Sequence, residues 1–443
     1  MPSPFRAVLY AFVFAWLSLP ASAAPVVLIS IDGLRPADVL DAGQRGLKIP
    51  NLRDFLREGS YASGVRGVLP TLTYPSHTTI LTGVAPARHG IASNLTFDPL
   101  WKNQQGWYWY ANDIRVPTLW DAARAAGLTT ANVHWPVSVG APVDMNLPQI
   151  WRTGHDDDRK LLAALSTPGV LPSLEATLGP YAQGIDESIE ADESRARFAL
   201  RLLATRKPGF MTVYLTALDH EQHNAGVDTP SAHAVLERID ALVGQLVATA
   251  QKADPLSVIA VVSDHGFAPL AHDVNLYGAF IKARLITLDD KGKVSAWEAT
   301  PWYASGSAPI MLREPGNANV RARVKAVLDP LAADAANGID RVLDKAAIAK
   351  FGGTPDADFF VVFKPGHEIG ADPTAAQISP SKLRGMHGYA PDIAAMKATF
   401  LLRGRGIPPA HALGEIDMRD IAPTLGKVLG VRLPTADGKA LLP

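Results

Sequence analysis

A chain of 443 residues, 47% of them hydrophobic, is long enough for one large or two ordinary domains with a substantial core. Its 42 basic and 43 acidic residues leave a formal charge of -1, and no run of Lys and Arg occurs, which argues against nucleic acid as a bulk partner. With no cysteine, a disulfide framework and thiolate zinc sites are excluded, so any metal must sit on histidine nitrogen and carboxylate oxygen.

In chain order, Arg6 precedes an apolar run from Ala7 to Leu19, followed by small residues at Ala21 and Ala23. This pattern predicts a signal peptide over residues 1–23, cleaved after Ala23, because the run is shorter than the ~20 residues a spanning helix needs. The mature chain, residues 24–443, is then periplasmic or secreted. No later segment is apolar enough to span a bilayer, so no stable membrane anchor is expected.

"PVVLISID" follows as an unbroken apolar strand ending at Asp32. "IPNLRDFLREG" predicts a helix with Leu52, Phe55 and Leu56 on one face and Gly59 as its stop. "LPTLTYPSHTTILTG" places Thr73 ahead of an apolar helix with Pro75 in its first turn. A threonine there can be an N-cap. The same position also offers free N–H groups and a favourable dipole to an anion, so an activated hydroxyl could attack phosphorus there. "PTLWDAARAAG" opens on a Thr118/Asp121 capping pair.

"FMTVYL" is a second buried strand, shortly before Asp219, and Ser231 to Lys252 forms a long amphipathic helix. "SVIAVVSD" ends at Asp264, and "ATFLLRG" closes near Gly404. Between them, residues 267–383 change character: a polar turn, an Ala-rich helix and a single strand "DFFVVF" suggest a cap or insertion on the main sheet. Apolar strands alternating with amphipathic helices predict an α/β protein, a three-layer α/β/α sandwich.

Asp32, Asp219 and Asp264 each follow a strand-like run, where open α/β sheets gather ligands. Converging carboxylates repel unless a cation balances them. "DHEQH" sets Asp219 and His223 four apart on one helical face, "SDHG" joins His265 to Asp264, and "RGMHGY" supplies His387. His220 falls on a different face from His223 and reads as solvent-facing or as a support beside the ligands. Six nitrogen and oxygen ligands suffice for two zinc-like ions, three each, with open positions for water or substrate.

These segments, with "LISIDGLRPADVL", "HGIASN", "VYLTALDHEQH", "VVSDHGF", "MHGY" and "DIAPTL" in that order, resemble the nucleotide pyrophosphatase/phosphodiesterase family of the alkaline phosphatase superfamily. The resemblance implies an alkaline phosphatase-like sandwich and two Zn2+ per chain. One zinc would be held by Asp32, Thr73, Asp264 and His265, the other by Asp219, His223 and His387. It further implies Thr73 as nucleophile in a two-step displacement through a phospho-threonine, and Asn94 as a donor to a phosphoryl oxygen. Tyr74 and Tyr214 resemble positions that sandwich a nucleobase. The implied substrate is a small phosphodiester or nucleotide; glycerophosphodiesters also fit.

Two departures stand out. Members often carry Glu-Pro where this chain has Ala217-Leu218, and Asp-Asn where it has Ala390-Pro391; both were expected near the substrate face. A phosphonate hydrolase or phosphomonoesterase could use the same site, but a monoester needs extra cations. Arg152, Arg159 and Lys160 are available without a motif to assign them. A sulfatase is disfavoured by the missing cysteine and Ser-x-Pro-x-Arg. A non-catalytic phosphate binder predicts a broken ligand set, which the sequence does not have.

Overall fold

The computed structural model describes residues 24–103, 106–152 and 157–442, so the expected signal peptide lies outside the described residues. Its centre is an eight-stranded sheet ordered His411–Ala412, Ser60–Tyr61, Phe400–Gly404, Val258–Val262, Val26–Ile31, Phe210–Leu215, Thr130–Val133, Met145–Leu147. Val26–Ile31 is the middle strand and pairs in parallel with Phe210–Leu215 and with Val258–Val262. Phe400–Gly404 runs antiparallel beside Val258–Val262, so the sheet is mixed.

The apolar runs are continuous because both faces of the sheet are covered. Val27, Ile29 and Ile31 pack into one core with Phe55, Phe198 and Leu246. Val26 and Leu28 point the other way, into a second core with Ile80, Trp120 and Leu425. The first face is therefore covered by the helices Pro50–Glu58, Ile189–Arg206 and Pro230–Ala253. The second carries Thr73–Thr82, Leu119–Ala125 and Ile421–Leu429. These layers form the three-layer α/β/α sandwich expected from the sequence. Thr118 and Asp121 make the reciprocal capping pair read from their spacing.

Residues 267–383 hold more strand than the single "DFFVVF" run suggests. Ala357–Phe363 is an inner strand of a four-stranded antiparallel sheet with Ala299–Pro301, Ser307–Leu312 and Ile339–Asp344. Its partners escaped notice because they carry prolines or alternate with charge ("SAPIML", "IDRVLD"), so neither reads as an apolar run. With the helix Ala318–Ala333 they enclose a core of their own, including Phe280, Val324 and Phe363.

Ala268–Val274 follows the carboxyl end of Val258–Val262 and pairs in parallel with Gly366–Ile369, setting Asp273 beside Glu368. Glu368 is buried, accepts a hydrogen bond from the Tyr303 hydroxyl (3.2 Å), and is pushed up to about 8 by burial and then by Asp273. The ordinary value is 4.5, so between roughly that pH and 8 the folded chain keeps a proton that the unfolded chain has lost. Stability tied to this group is complete below the ordinary value and lost as pH rises through about 8. Glu368→Gln should flatten the fall in melting temperature across this window. A variant that melts with the parent's pH slope would count against a protonated Glu368.

Candidate active site

Three strands deliver their carboxylates to one edge. Asp32 follows Val26–Ile31, Asp264 lies just beyond Val258–Val262, and Asp219 sits in the first turn of Ala217–Ala225, the helix after Phe210–Leu215. Since these are the three central strands in parallel register, their carboxyl ends are neighbours. Gly33 turns the chain away with φ +68, a left-handed conformation that favours glycine, and its N–H donates to Asp264 Oδ1 (3.2 Å). A Cβ at Gly33 would press on Gln222 and Phe267.

The histidines complete the cluster. His265 Nε2 lies 3.3 Å from Asp32 Oδ1 and 3.1 Å from Asp264 Oδ2. His223 Nε2 is 3.3 Å from Asp219 Oδ2, and His387 Nε2 is 3.6 Å from Asp219 Oδ1. The rings of His265 and His387 stack at 3.6 Å. Ligand atoms of Asp219, His223 and His387 all lie within 4.8 Å of one another, and so do those of Asp32, Asp219 and His265. Asp219 thus stands at the junction of two adjoining groups, with Asp264 joined to the second through His265.

Two observations test whether these residues suit metal. Asp32 Oδ1, Asp219 Oδ1 and Asp264 Oδ2 are buried without a hydrogen-bond partner, a costly state for a carboxylate unless a cation takes it up. All three histidines also point one way. His223 Nδ1 bonds the Gly385 carbonyl (2.9 Å), His265 Nδ1 that of Gly266 (3.0 Å) and His387 Nδ1 that of Thr71 (3.1 Å). A carbonyl only accepts, so each Nδ1 carries the proton and each Nε2 keeps its lone pair for a metal. The donor set of carboxylate oxygen and imidazole nitrogen fits zinc-like ions.

Without metal, protons must balance the charge. Burial, then Asp219 and Asp264, pushes Asp32 well above the ordinary carboxyl range. Burial opposes a charge on His223, but Asp219 carries it up to about 9. Burial would raise Asp219, yet His223 and then His387 draw it down to about 2. His387 is held down to about 3 by burial and then by His265.

Thr73 is not an N-cap. Leu72 occupies that position, without a side-chain cap, and Thr73 is the first residue of the helix Thr73–Thr82. Its hydroxyl is free to face the cluster, with Oγ1 3.5 Å from His265 Nε2. Its N–H, like any at a helix start, has no partner within the helix. The Thr73 carbonyl is bound by His77 Nδ1 (2.8 Å), and His77 Nε2 reaches Ser30 Oγ (2.9 Å), fastening this first turn to the central strand. Asn94 Oδ1 accepts from the Tyr74 N–H (2.9 Å), so the asparagine turns its NH2 group away from the helix. The neighbouring threonine hydroxyls are engaged elsewhere: Thr71 on the Tyr389 carbonyl, Thr78 on that of Tyr74, Thr82 on that of Thr78, and Thr79 with His89, while the Ser76 hydroxyl is buried without a partner.

A cavity over the cluster is bordered by Leu72, Asn94, Trp107, His223, Tyr303 and His387. Tyr74 and Tyr214, expected from the sequence to sandwich a nucleobase, do not border this cavity. Both are buried, at 1% and 2% exposure. Tyr74 packs against Trp107 and Trp109 and donates its hydroxyl to Gln149, while Tyr214 donates to Asp32. Their rings are spent on packing and on holding a ligand. Trp107 and Tyr303, which the sequence reading passed over, are the aromatic groups that border the cavity. The run "WYWY" from Trp107 to Tyr110 was the available signal.

The two departures also fall elsewhere than expected. Ala217, Leu218, Ala390 and Pro391 are all buried and line neither the cluster nor its cavity. Arg159 pairs with Glu175 and Lys160 with Asp157 on the surface. Among the described residues bordering the cavity, none is lysine or arginine.

The fold and this carboxylate–histidine cluster define an alkaline phosphatase-like α/β protein with a candidate metal-binding site. The family model for type I phosphodiesterase / nucleotide pyrophosphatase matches residues 26–390, and the chain belongs to that family. It is 28% identical over 269 residues to the human bis(5'-adenosyl)-triphosphatase ENPP4, covering 60% of this chain and 50% of that protein. To human ectonucleotide pyrophosphatase/phosphodiesterase family member 1 it is 26% identical over 258 residues, 55% of this chain and 23% of that one. The chain thus spans about half the length, or less, of these curated relatives. Human ectonucleotide pyrophosphatase/phosphodiesterase 5 shares the fold with a TM-score of 0.65 at 20% identity, over 94% of this chain and 97% of that one. So does the murine protein, at 0.66 and 21%, over the same shares, in a structure of an inactive threonine-to-alanine variant in complex with AMP.

One buried ion pair positions the helix that carries Asp219 and His223. Asp192 accepts from the N–H groups of Thr216 (3.0 Å) and Ala217 (2.8 Å) and from Arg195 Nη1 (2.8 Å), and both charged residues are fully buried. Asp192→Asn leaves the guanidinium uncompensated, which should cost about 3–5 kcal/mol of stability. It should also weaken zinc retention on the order of 10-fold or more by loosening the ligand helix. Thermal melts and zinc competition against a chromogenic chelator check both, and an unchanged zinc affinity would contradict this positioning role.

Proposed function

We propose that this chain is an exported two-zinc phosphodiesterase or nucleotide pyrophosphatase that works through a phospho-threonine. The observation carrying the reading is the Thr73 hydroxyl, at the open start of a helix and 3.5 Å from His265 Nε2 in the ligand cluster. Asp32, Asp264, His265 and Thr73 would hold one zinc, and Asp219, His223 and His387 the other. When bound, the two ions supply Lewis-acid stabilisation of entering and leaving oxygens and ease ionisation of the hydroxyl and of water.

The remaining work belongs to the chain. Thr73 Oγ attacks phosphorus in line, forming a P–O bond as the ester or pyrophosphate oxygen leaves, and water then cleaves the phospho-threonine. The Thr73 N–H and the Asn94 NH2 group donate to equatorial phosphoryl oxygens, where charge accumulates. Tyr214, donating to Asp32, fixes that ligand's orientation. His77 holds the first turn of the nucleophile helix against the sheet.

The lack of lysine and arginine at the cavity wall favours a diester, with one charge, over a monoester carrying two. Export rests on the basic and apolar pattern before Ala24; among the described residues no helix is long and apolar enough to cross a membrane. A periplasmic or secreted site for the mature chain follows from that reading.

Thr73→Ala should lower turnover of bis-p-nitrophenyl phosphate by on the order of 10³-fold or more, with zinc content within error of the parent. The parent, quenched in acid during turnover, should yield a phosphorylated peptide containing Thr73. A variant that keeps full turnover would remove Thr73 as nucleophile.

A further inference from the structure

A second cavity, of about 310 Å³, lies beside the one over the ligand cluster, and Leu95 and Tyr303 border both. Its walls come from two parts of the chain. Phe97 and Trp101 belong to the loop after Asn94, and Tyr277, Trp302 and Tyr303 belong to the cap. The rings brace one another: Phe97 against Trp302 at 5.4 Å, Trp101 edge-on to Tyr277 at 5.4 Å, and Phe97 edge-on to Trp297 at 5.7 Å. The loop is tied at its base, where Thr96 N–H donates to the Gly106 carbonyl (2.7 Å) and Tyr108 N–H to that of Asn94 (3.1 Å). The cavity is thus braced by its own rings, and it shares Leu95, next to Asn94, with the cavity over the cluster.

The chemistry of its lining selects an occupant. Among the described residues no lysine or arginine borders it, and its one charged group, Asp98, is a carboxylate whose oxygens accept the N–H groups of Leu100 and Asn103. A phosphate chain would meet aromatic faces and a negative charge there. A flat uncharged ring would meet stacking surfaces in a volume at the lower end of the range typical for small-molecule sites.

We propose that this cap-side cavity binds one ester arm of the substrate, an uncharged planar aromatic group. The inference rests on the diesterase reading for the identity of the substrate, but the cavity can be tested by binding alone. Zinc-loaded Thr73→Ala protein, which should bind without turnover, is titrated by calorimetry with diphenyl phosphate and with dimethyl phosphate. Diphenyl phosphate should bind at least about tenfold tighter. Ala371→Trp, placed on an exposed rim residue to fill the cavity, and Trp101→Ala, which opens its wall, should each cut that preference several-fold when added to Thr73→Ala. Melting temperatures close to that of Thr73→Ala confirm that both fold. An aryl preference unchanged in both variants overturns the proposal. Cleavage of bis-p-nitrophenyl phosphate by the parent is followed in parallel. A cavity-dependent aryl preference without cleavage would refute the diesterase reading while upholding the cavity, and cleavage with no effect of either variant on binding would do the reverse.

Discussion

Three buried carboxylates within reach of one another are the constraint from which the rest of the site follows. Asp32, Asp219 and Asp264 each keep an oxygen without a hydrogen-bond partner, at the carboxyl ends of adjacent parallel strands. Such an arrangement is repulsive unless positive charge sits among them. Every nearby device supplies it or makes room for it. The histidines present Nε2 because carbonyls hold Nδ1, Tyr214 steadies Asp32, and Asp192 with Arg195 anchors the helix that carries Asp219 and His223. The helix Thr73–Thr82 begins at the cluster's edge, and His77 fastens its first turn there.

The candidate cluster was legible from residue type and spacing because each of its residues lies close beyond a recognisable element. Asp-x-x-x-His on one helical turn, Asp-His after a buried strand and Asp at a strand end are local patterns, and the sheet order converts them into a cluster. The layers were legible for the same reason: both faces of the central strands are covered, so their apolar runs are unbroken. The structure defeated readings that depended on what lies across the fold. Tyr74 and Tyr214 are buried: Trp107 and Trp109 pack on the Tyr74 ring and Asp32 accepts from the Tyr214 hydroxyl, contacts between residues far apart in the chain. Ala217, Leu218 and Ala390 flank motif residues yet pack into hydrophobic cores, and Pro391 is buried beside them. Adjacency in sequence to a ligand does not mean adjacency to substrate.

The cap illustrates a second limit. Strands such as Ile339–Asp344, with one face packed and one charged, and Ser307–Leu312, with its internal proline, carry weak signals beside the apolar run of Ala357–Phe363. The turn between Ala299–Pro301 and Ser307–Leu312 brings Tyr303 to the cavity over the cluster and Trp302 against Phe97, and the helix Leu276–Lys282 sets Tyr277 against Trp101. The main sheet therefore fixes the reaction centre, whereas the wall that a substrate arm would touch is built jointly by the cap and the loop after Asn94. This division explains why the family's chemistry could be read from short motifs and the shape of the substrate could not.

We propose that the cluster holds two ions, with Thr73 at the edge of one. Anomalous scattering from crystals of the zinc-loaded parent, recorded on both sides of the zinc absorption edge, tests it most directly. Two zinc peaks are expected, one bound by Asp32, Asp264, His265 and Thr73 Oγ1, the other by Asp219, His223 and His387. A folded protein showing a single peak, or none, at these residues would contradict the account.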